Sequence, residues 1–165
     1  MRRSTRTRRW LIGLSLVVTI AALSAAAATA AANFHGTPTF TINSSGQLIC
    51  SGDVSGLGNV SSTQGSCDAT SVAAYQCINN GGKNPAAGNK STSTGDVSNE
   101  VTVPVHNGRA TANIPLSPTG PGSFGCPGGQ TLFLVGVCYN DITLTIGGAT
   151  ATEDQVCRND LRVRQ

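Results

Sequence analysis

The chain has 165 residues and is poor in charge, with 11 Lys and Arg against 8 Asp and Glu. Five of the arginines precede residue 10, so from residue 33 onward 6 basic residues face all 8 acidic ones, a formal net charge of −2. A nucleic-acid partner needs a clustered basic face, and the chain after residue 32 does not supply one, so that class of function is not expected.

The first 32 residues are predicted to be a signal peptide, because an arginine-rich start is followed by an apolar run that ends in small residues. Ala28 with Ala30, or Ala30 with Ala32, forms an A-x-A cleavage site, so the mature chain is expected to begin near Asn33. Both the general secretory and the twin-arginine export routes fit this start. An uncleaved membrane anchor is the rival interpretation, since the run is long enough to span a bilayer. We expect cleavage and a secreted, extracellular product with no membrane segment.

The remaining residues 33–165 are about the length of one domain and contain few large apolar side chains. All six cysteines lie here, and their even number predicts three disulfides in an oxidising compartment, each stabilising by about 2–4 kcal/mol. A zinc site needs close pairs such as C-x-x-C, and the nearest spacing here is ten residues, so no metal is expected. The cysteines are Cys50, Cys67, Cys77, Cys126, Cys138 and Cys157.

Short alternating runs of apolar and polar residues, separated by Gly, Asn, Pro and Ser, recur along this domain without sustained helical periodicity. Seven or eight strands so spaced predict an all-β antiparallel sandwich, with a small closed barrel as the structural alternative. Residues 79–95 and 117–129 are predicted loops, because they are rich in turn formers. In chain order the runs predicted to form strands are 37–42, 47–60 (broken at Gly56 and Gly58), 71–78, 98–105, 109–116, 130–139 and 141–146, and residues 151–157 can add one more.

Residues 101–116 are predicted to form a hairpin around a two-residue Asn107–Gly108 turn, with His106 opposite Arg109. This register places the apolar residues of both strands on one face and His106 on the solvent side. Pro104 conflicts with it, because it would face Thr111 at a hydrogen-bonded position without an N–H. Either the first strand lies at a sheet edge or the register is wrong. The further pairs in this register are Val105–Ala110, Val103–Ala112 and Val101–Ile114.

No motif in the chain predicts catalysis. A serine nucleophile in a G-x-S-x-G turn is missing, the even cysteine count leaves no free thiol, and no calcium-binding D-x-[DN]-x-[DN]-G loop occurs. The glycine clusters at residues 56–61 and 82–91 are read as loops rather than as phosphate-binding motifs. We therefore expect no enzyme activity, no catalytic residues and no cofactor.

The titratable residues of the domain are separated in sequence, with Asp53 and Asp68 isolated and Asp141 at a predicted turn. A hydrolase would require at least two of four residues to converge in one pocket. These four are Asp53, Asp141, His35 and His106. The C-terminal segment RNDLRVRQ carries three arginines, and we expect a frayed, solvated terminus rather than a docking patch for anions.

Three segments carry a family resemblance: SGDVSGLGN at 51–59, CINNGGKNPAAGN at 77–89 and GCP at 125–127. Together they resemble an uncharacterised family of small secreted β-rich proteins from actinobacteria. The resemblance implies an immunoglobulin-like sandwich and a disulfide between Cys77 and Cys126. It implies no activity and no site residues. The other four cysteines depart from the family pattern, and for them we expect the sequence-local pairs Cys50–Cys67 and Cys138–Cys157.

Export, disulfides and neutral Ser-, Thr- and Asn-rich surfaces favour a secreted non-enzymatic module, binding, adhesive or structural, that acts through its loops or a sheet face. Its expected partner is a cell-surface glycan or another extracellular protein. The alternative is a small-ligand carrier or a secreted protease inhibitor that uses loop 117–129, which its prolines and Cys126 would stiffen.

Overall fold

The computed structural model describes residues 31–79, 81 and 87–165. This part of the chain is all-β and forms two antiparallel sheets. The strands are β1 (Asn33–Phe34), β2 (Thr39–Ile42), β3 (Leu48–Ser55), β4 (Ser62–Asn79), β5 (Lys90–Pro104), β6 (Arg109–Leu116), β7 (Gln130–Ile146), β8 (Ala149–Arg158) and β9 (Val163–Arg164), with one 3₁₀ turn at Ala87–Asn89. The predicted signal peptide lies almost wholly outside the described residues.

The small sheet is built around β3, which pairs with β6 on one side and with β2 and β1 on the other. Successive side chains of β3 point to opposite faces of this sheet. Leu48, Cys50 and Val54 are fully buried on the inner face, and the residues between them are only half-buried. In β6 the same rule is stricter, and every second residue from Ala110 to Leu116 is buried. The sheet therefore has one apolar inner face and one polar outer face.

The large sheet has the order β5-β4-β7-β8, and β9 continues the β8 edge beside the start of β7. Strands β4 and β5 pair without a register shift from Ser62–Pro104 to Gln76–Lys90. Strands β4 and β7 shift register twice, once opposite Asp141, which has a left-handed backbone (φ 52°). That bulge keeps Tyr139 and Ile142 both on the inner face, although they are an odd number of residues apart.

The core lies between the two inner faces and is made of Leu, Ile, Val and Ala with two buried tyrosines. The hydroxyl of Tyr139, on β7, lies 2.9 Å from the carbonyl oxygen of Gly46 and 3.0 Å from that of Leu116, so one side chain ties the two sheets together. The predicted fold class is confirmed at this level: the chain is an all-β, antiparallel, disulfide-stabilised sandwich.

Three disulfides staple this sandwich, and no described cysteine is free. Cys50–Cys67 joins the two sheets, Cys77–Cys126 ties loop 117–129 to the end of β4, and Cys138–Cys157 links paired residues of β7 and β8. These are the pairs that the family resemblance and sequence-local pairing led us to expect. Three disulfides in a chain this small are typical of proteins that mature in an oxidising compartment.

Several element boundaries differ from the prediction. Residues 90–95 belong to β5, not to the predicted loop 79–95, and β4 begins at Ser62, nine residues before the predicted strand. The predicted strands 130–139 and 141–146 are one strand, β7, because the backbone passes Asp141 as a bulge without turning. Residues 62–70 and 90–95 are mostly polar, so they lack the alternation of large apolar and polar residues that predicts a strand.

The Asn107–Gly108 hairpin turn is confirmed, but the hairpin is one residue pair long. His106 and Arg109 exchange backbone hydrogen bonds of 2.8 and 3.0 Å across the turn, whose two residues have positive φ. Beyond that pair β5 joins β4 and β6 joins β3, so the predicted pairs from Val105–Ala110 onward are wrong. Pro104 ends an edge strand, which is the arrangement its missing N–H permits.

Candidate binding surface along strand β5

Strand β5 forms one edge of the large sheet and, within the described residues, pairs only with β4. It is 15 residues long, and neither a bulge nor a proline interrupts it before its last residue. Globular strands are usually about 5–6 residues long, and exposed edges are usually short, bulged or blocked by lysine and proline. The free side of β5 therefore has no strand partner in the described structure, although the Gly95 carbonyl oxygen accepts a hydrogen bond from the Thr119 hydroxyl.

Three shallow hollows surround the middle of this strand, and Ser98 lines all of them. The first, of about 310 Å³, lies on the outer face and is lined by Gln64, Ser66, Asp68, Ser98, Asn99, Glu100 and Thr145. The second, of about 410 Å³, is lined by Asp68, Ala69, Thr70, Asp96, Val97, Ser98 and Asp141. The third, of about 510 Å³, lies towards β6 and is lined by Asp96, Val97, Ser98, Asn99, Pro115, Leu116 and Ser117. We call β5 and these hollows the β5 surface.

The β5 surface is acidic, since four carboxylates and no basic side chain line its hollows. Asp96 accepts a hydrogen bond of 2.9 Å from the Thr70 hydroxyl, and Asp68 accepts one of 3.3 Å from Ser66. Glu100 is exposed and forms no ion pair within the described part of the chain. The prediction that Asp68 is isolated is therefore wrong, since Asp68, Asp96 and Asp141 line one hollow although 73 positions separate the first from the last.

On the small sheet, His35 and Asp53 converge, so the expectation of an isolated Asp53 is also wrong. His35 follows β1, and its N–H donates a 2.7 Å hydrogen bond to the carbonyl oxygen of Asp53. His35 Nδ1 lies 3.9 Å from the Asp53 carboxylate, which also forms an ion pair with Arg109. The His35 side chain is 65% exposed and Asp53 29% exposed, and the hollows described above are lined by other residues. The group is an open, neutralised surface ion pair.

The other two residues considered for hydrolysis are not in that group. Asp141 lines a hollow on the large sheet, and His106 is exposed at its turn, as predicted. No group of three or more His, Cys, Asp and Glu side chains within residues 31–79, 81 and 87–165 is arranged to hold a metal ion. In the same ranges, no helix is both long and apolar enough to cross a membrane.

Loop 117–129, the predicted inhibitor loop, is held at both ends. Thr119 accepts a 2.6 Å hydrogen bond from the Tyr75 hydroxyl, and its N–H donates a 3.1 Å bond to the hydroxyl of the buried Ser71. At the far end Cys126 is bonded to Cys77. Between these anchors Gly120, Gly122 and Ser123 are exposed. Burial raises the pKa of Tyr75, as expected for a phenol packed beneath this loop.

A fourth hollow, of about 580 Å³, is more apolar than the three beside β5. It lies at the end of the sandwich where the β3–β4 loop meets the β7–β8 turn. Val60 at its rim is 50% exposed and is the one large hydrophobic side chain exposed among the described residues. Its lining residues are Ala31, Ala32, Gly56, Leu57, Gly58, Val60, Ser62, Thr63, Gly147 and Gly148. No local sequence pattern predicts this hollow, because its walls come from three stretches of the chain that are far apart in sequence.

The C-terminal segment is folded, so the prediction of a frayed tail is wrong. Leu161 is buried, β9 pairs with β7, and the Arg162 guanidinium lies 5.4 Å from the centre of the Phe133 ring. Arg158 hydrogen-bonds Asp160 at 3.1 Å and lowers the pKa of that carboxyl. Two of the three tail arginines thus have partners within the domain.

Comparison with known proteins gives no relative from which a role could be inferred. No family model matches the chain, and neither a curated protein nor a solved structure is significantly similar to it.

Proposed function

We propose that this chain is a secreted, non-enzymatic β-sandwich module that binds another extracellular protein along the β5 surface. The observation that carries the proposal is the long, unblocked edge of β5 flanked by three hollows. An extended segment that adds to a free sheet edge gains backbone hydrogen bonds, and its alternate side chains enter pockets beside the edge. Strand β5 offers both features in one place.

Secretion is supported by the N-terminal pattern of arginines, apolar run and A-x-A sites, together with three disulfides that need an oxidising compartment. The absence of enzyme activity is a proposal as well. It is supported by the exposed His35 side chain, which lines none of the hollows described above, and by the ion pair that already joins Asp53 to Arg109.

The order of strand pairing supports the immunoglobulin-like assignment. Strands β2, β3 and β6 share one sheet, and β5, β4, β7 and β8 share the other. Immunoglobulin-like sandwiches divide strands A, B and E from strands C′, C, F and G in the same way. The sheet-to-sheet disulfide differs, because Cys50–Cys67 connects β3 to β4 rather than the B and F positions.

The test is capture of partners from an extracellular fraction of the producing cells by the immobilised protein. Ser98→Tyr places a ring beside the three hollows, and Thr152→Tyr is the matched control, an exposed residue of β8 that lines none of them. We expect Ser98→Tyr to lose the captured protein and Thr152→Tyr to keep it. Equal capture by both variants and the unmodified chain would refute the β5 surface, and capture of a glycan in place of a protein would change the partner class.

A second candidate, a small-ligand carrier, is favoured by the apolar hollow beside Val60. A carrier should raise the fluorescence of a hydrophobic dye in its folded, disulfide-intact state, and Val60→Asp should abolish the increase. No binding by the unmodified protein would remove this candidate.

The protease-inhibitor candidate is favoured by the two anchors of loop 117–129, since a loop that is already ordered loses little entropy when an enzyme binds it. A panel of secreted serine proteases measured with and without the protein tests it. Inhibition that persists in Ser123→Pro would exclude this loop as the inhibitory element.

A further inference from the structure

We propose that the partner of the β5 surface is a second copy of this chain, joined edge to edge through β5 in antiparallel register with Gly95 opposite Gly95. This inference rests on the proposed function and names its partner. The two large sheets would then form one continuous sheet across a two-fold axis that passes between the two glycines. Such self-complementary, closed pairing is the commonest form of homodimer.

The charges along β5 favour this register. Lys90, Asp96 and Glu100 are the charged residues of the strand, and all three are exposed on its outer face. With Gly95 at the axis, Lys90 of each copy lies opposite Glu100 of the other, so the pairing makes two opposite-charge pairs. Directly opposed side chains in antiparallel strands have Cβ atoms about 4.5–5.5 Å apart, within reach of a lysine–glutamate ion pair.

One neighbouring register also makes two opposite-charge pairs, because an axis at Ser93 places Lys90 opposite Asp96. That register pairs only residues 90–96, whereas the Gly95 register pairs residues 90–100, and Asp96 already accepts a hydrogen bond from Thr70. Other registers are worse. Moving the axis by one residue to Asp96 places that carboxylate opposite itself, and moving it to Ser98 places Asp96 opposite Glu100 in both copies. Parallel, in-register pairing would align each charge with its own kind. Like charges directly opposite each other destabilise a sheet. In the Gly95 register Asp96 faces the hydroxyl of Thr94, and the remaining pairs join small side chains.

The structure leaves Lys90 and Glu100 available for this contact. Neither forms an ion pair or a side-chain hydrogen bond that the structure records among the described residues, and both are exposed. Glu100 stands at the rim of the outer hollow that also contains Asp68. The long side chain of a lysine placed opposite Glu100 reaches that hollow, so its ammonium group meets two carboxylates. Lys90 and Glu100 lie five residues to either side of Gly95, so the same strand provides both the free edge and the opposite charges that pair across it.

Gly95 suits the axis position because this chain already covers its inner side. A Cβ atom at residue 95 would lie 3.4 Å from Thr119 Oγ1, and that hydroxyl donates a 3.3 Å hydrogen bond to the Gly95 carbonyl oxygen. No side chain projects from the centre of the interface. A single strand pair covers less than the roughly 1,000 Å² of a stable interface, so the dimer is expected to be weak, with a dissociation constant on the order of micromolar.

The test is sedimentation velocity of the full disulfide-bonded protein over a range of concentrations, with charge-reversed variants. Lys90→Glu makes both end pairs glutamate–glutamate, and Glu100→Lys makes both lysine–lysine, so each variant alone should dimerise roughly tenfold more weakly or not at all. An equimolar mixture of the two variants should form a heterodimer with restored affinity, because each end again joins a glutamate to a lysine. Arg164→Glu, the same charge change on β9, should dimerise like the unmodified protein.

A simple loss of folding cannot produce this pattern, because two misfolded variants would not recover on mixing. A monomeric unmodified protein at high micromolar concentration would overturn the inference, as would a mixture that is no tighter than its components. The proposed function fails separately. If the protein is a monomer and captures another protein in a way that depends on Ser98, the proposed function stands and the self-pairing is refuted. If the protein forms the charge-dependent dimer and captures no other protein, the self-pairing stands and binding of a different protein is refuted.

Discussion

Replacing Tyr139 by phenylalanine should measure how strongly one buried hydroxyl holds the two sheets together. The Tyr139 side chain is fully buried on β7, and its hydroxyl lies within 3.0 Å of two carbonyl oxygens of the small-sheet side, those of Gly46 and Leu116. Phenylalanine keeps the ring and its packing but leaves these carbonyl oxygens without the donor. Only the hydrogen-bonding contribution changes.

The expected loss follows from the burial of those acceptors. A hydrogen bond contributes about 0.5–1.5 kcal/mol net, and leaving a buried acceptor unpaired costs about 1–3 kcal/mol. We therefore expect Tyr139→Phe to lower the free energy of unfolding by about 2 kcal/mol, or Tm by about 6–8 °C for a domain of this size. Tyr75→Phe is the matched control, because its hydroxyl bonds one carbonyl at a part-buried position, and it should lose about 1 kcal/mol.

Urea denaturation with intact disulfides, followed by circular dichroism, gives both values, and a constant slope shows that the denatured state has not changed. A Tyr139→Phe loss below about 0.5 kcal/mol would refute the reasoning, since it would mean that the carbonyls are satisfied without the hydroxyl. A loss no larger than that of Tyr75→Phe would refute the claim that the Tyr139 hydroxyl contributes more to stability than a single part-buried hydrogen bond does.

Three further predictions concern stability and the disulfides. Burial, partly offset by a hydrogen bond from the Leu48 backbone, raises the pKa of Tyr139 above the ordinary 10.0. The unfolded chain therefore loses this proton first, and the free energy of unfolding should fall as pH rises above about 10. Tyr139→Phe should flatten that fall, and an unchanged pH profile would exclude Tyr139 as its source. Gly147→Ala should destabilise by more than about 1 kcal/mol, because φ is +57° and the added Cβ would collide with Leu57. Gly148→Ala, also at positive φ (+90°) but with no atom near its Cβ, measures the backbone strain alone, and a Gly147→Ala loss no larger than that in thermal melts would contradict the collision. When a limiting amount of phosphine reduces the protein, Cys138–Cys157 should open first, because Cys157 is exposed, and Cys50–Cys67 should open last, because both of its cysteines are fully buried. Alkylation followed by mass spectrometry gives the order. The reverse order would show that solvent access does not control the reduction.

The sequence predicts this fold best where apolar and polar residues alternate strictly. Strand β6 lies at 109–116 as predicted, because its alternate residues from Ala110 to Leu116 are apolar and buried. The Asn107–Gly108 turn could also be predicted, because both of its residues have positive φ and Asn-Gly is the pair that most readily adopts it. What alternation could not reveal is that the two strands beside this turn join different sheets, because that choice depends on β3 and β4.

The candidate site was hard to predict for a related reason. The first half of β5, KSTSTG, contains no apolar residue, since an edge strand whose inner side chains are only half-buried does not need one. Its Ser and Thr residues still alternate, and Thr favours strands, so a weak signal was present. The meeting of Asp68, Asp96 and Asp141, and that of His35 with Asp53, depends on long-range strand pairing that no local pattern encodes.

Hydrogen–deuterium exchange of the unmodified protein, measured from dilute to concentrated solution and with any captured protein, tests most directly whether the β5 edge is the binding surface. Backbone amides between Lys90 and Glu100 should exchange more slowly when the edge is occupied, while those of β8, β9 and residues 120–129 should not change. Protection confined to loop 117–129, to the hollow beside Val60 or to the β8–β9 edge would contradict the account, as would unchanged exchange along β5 under every condition in which the protein is bound.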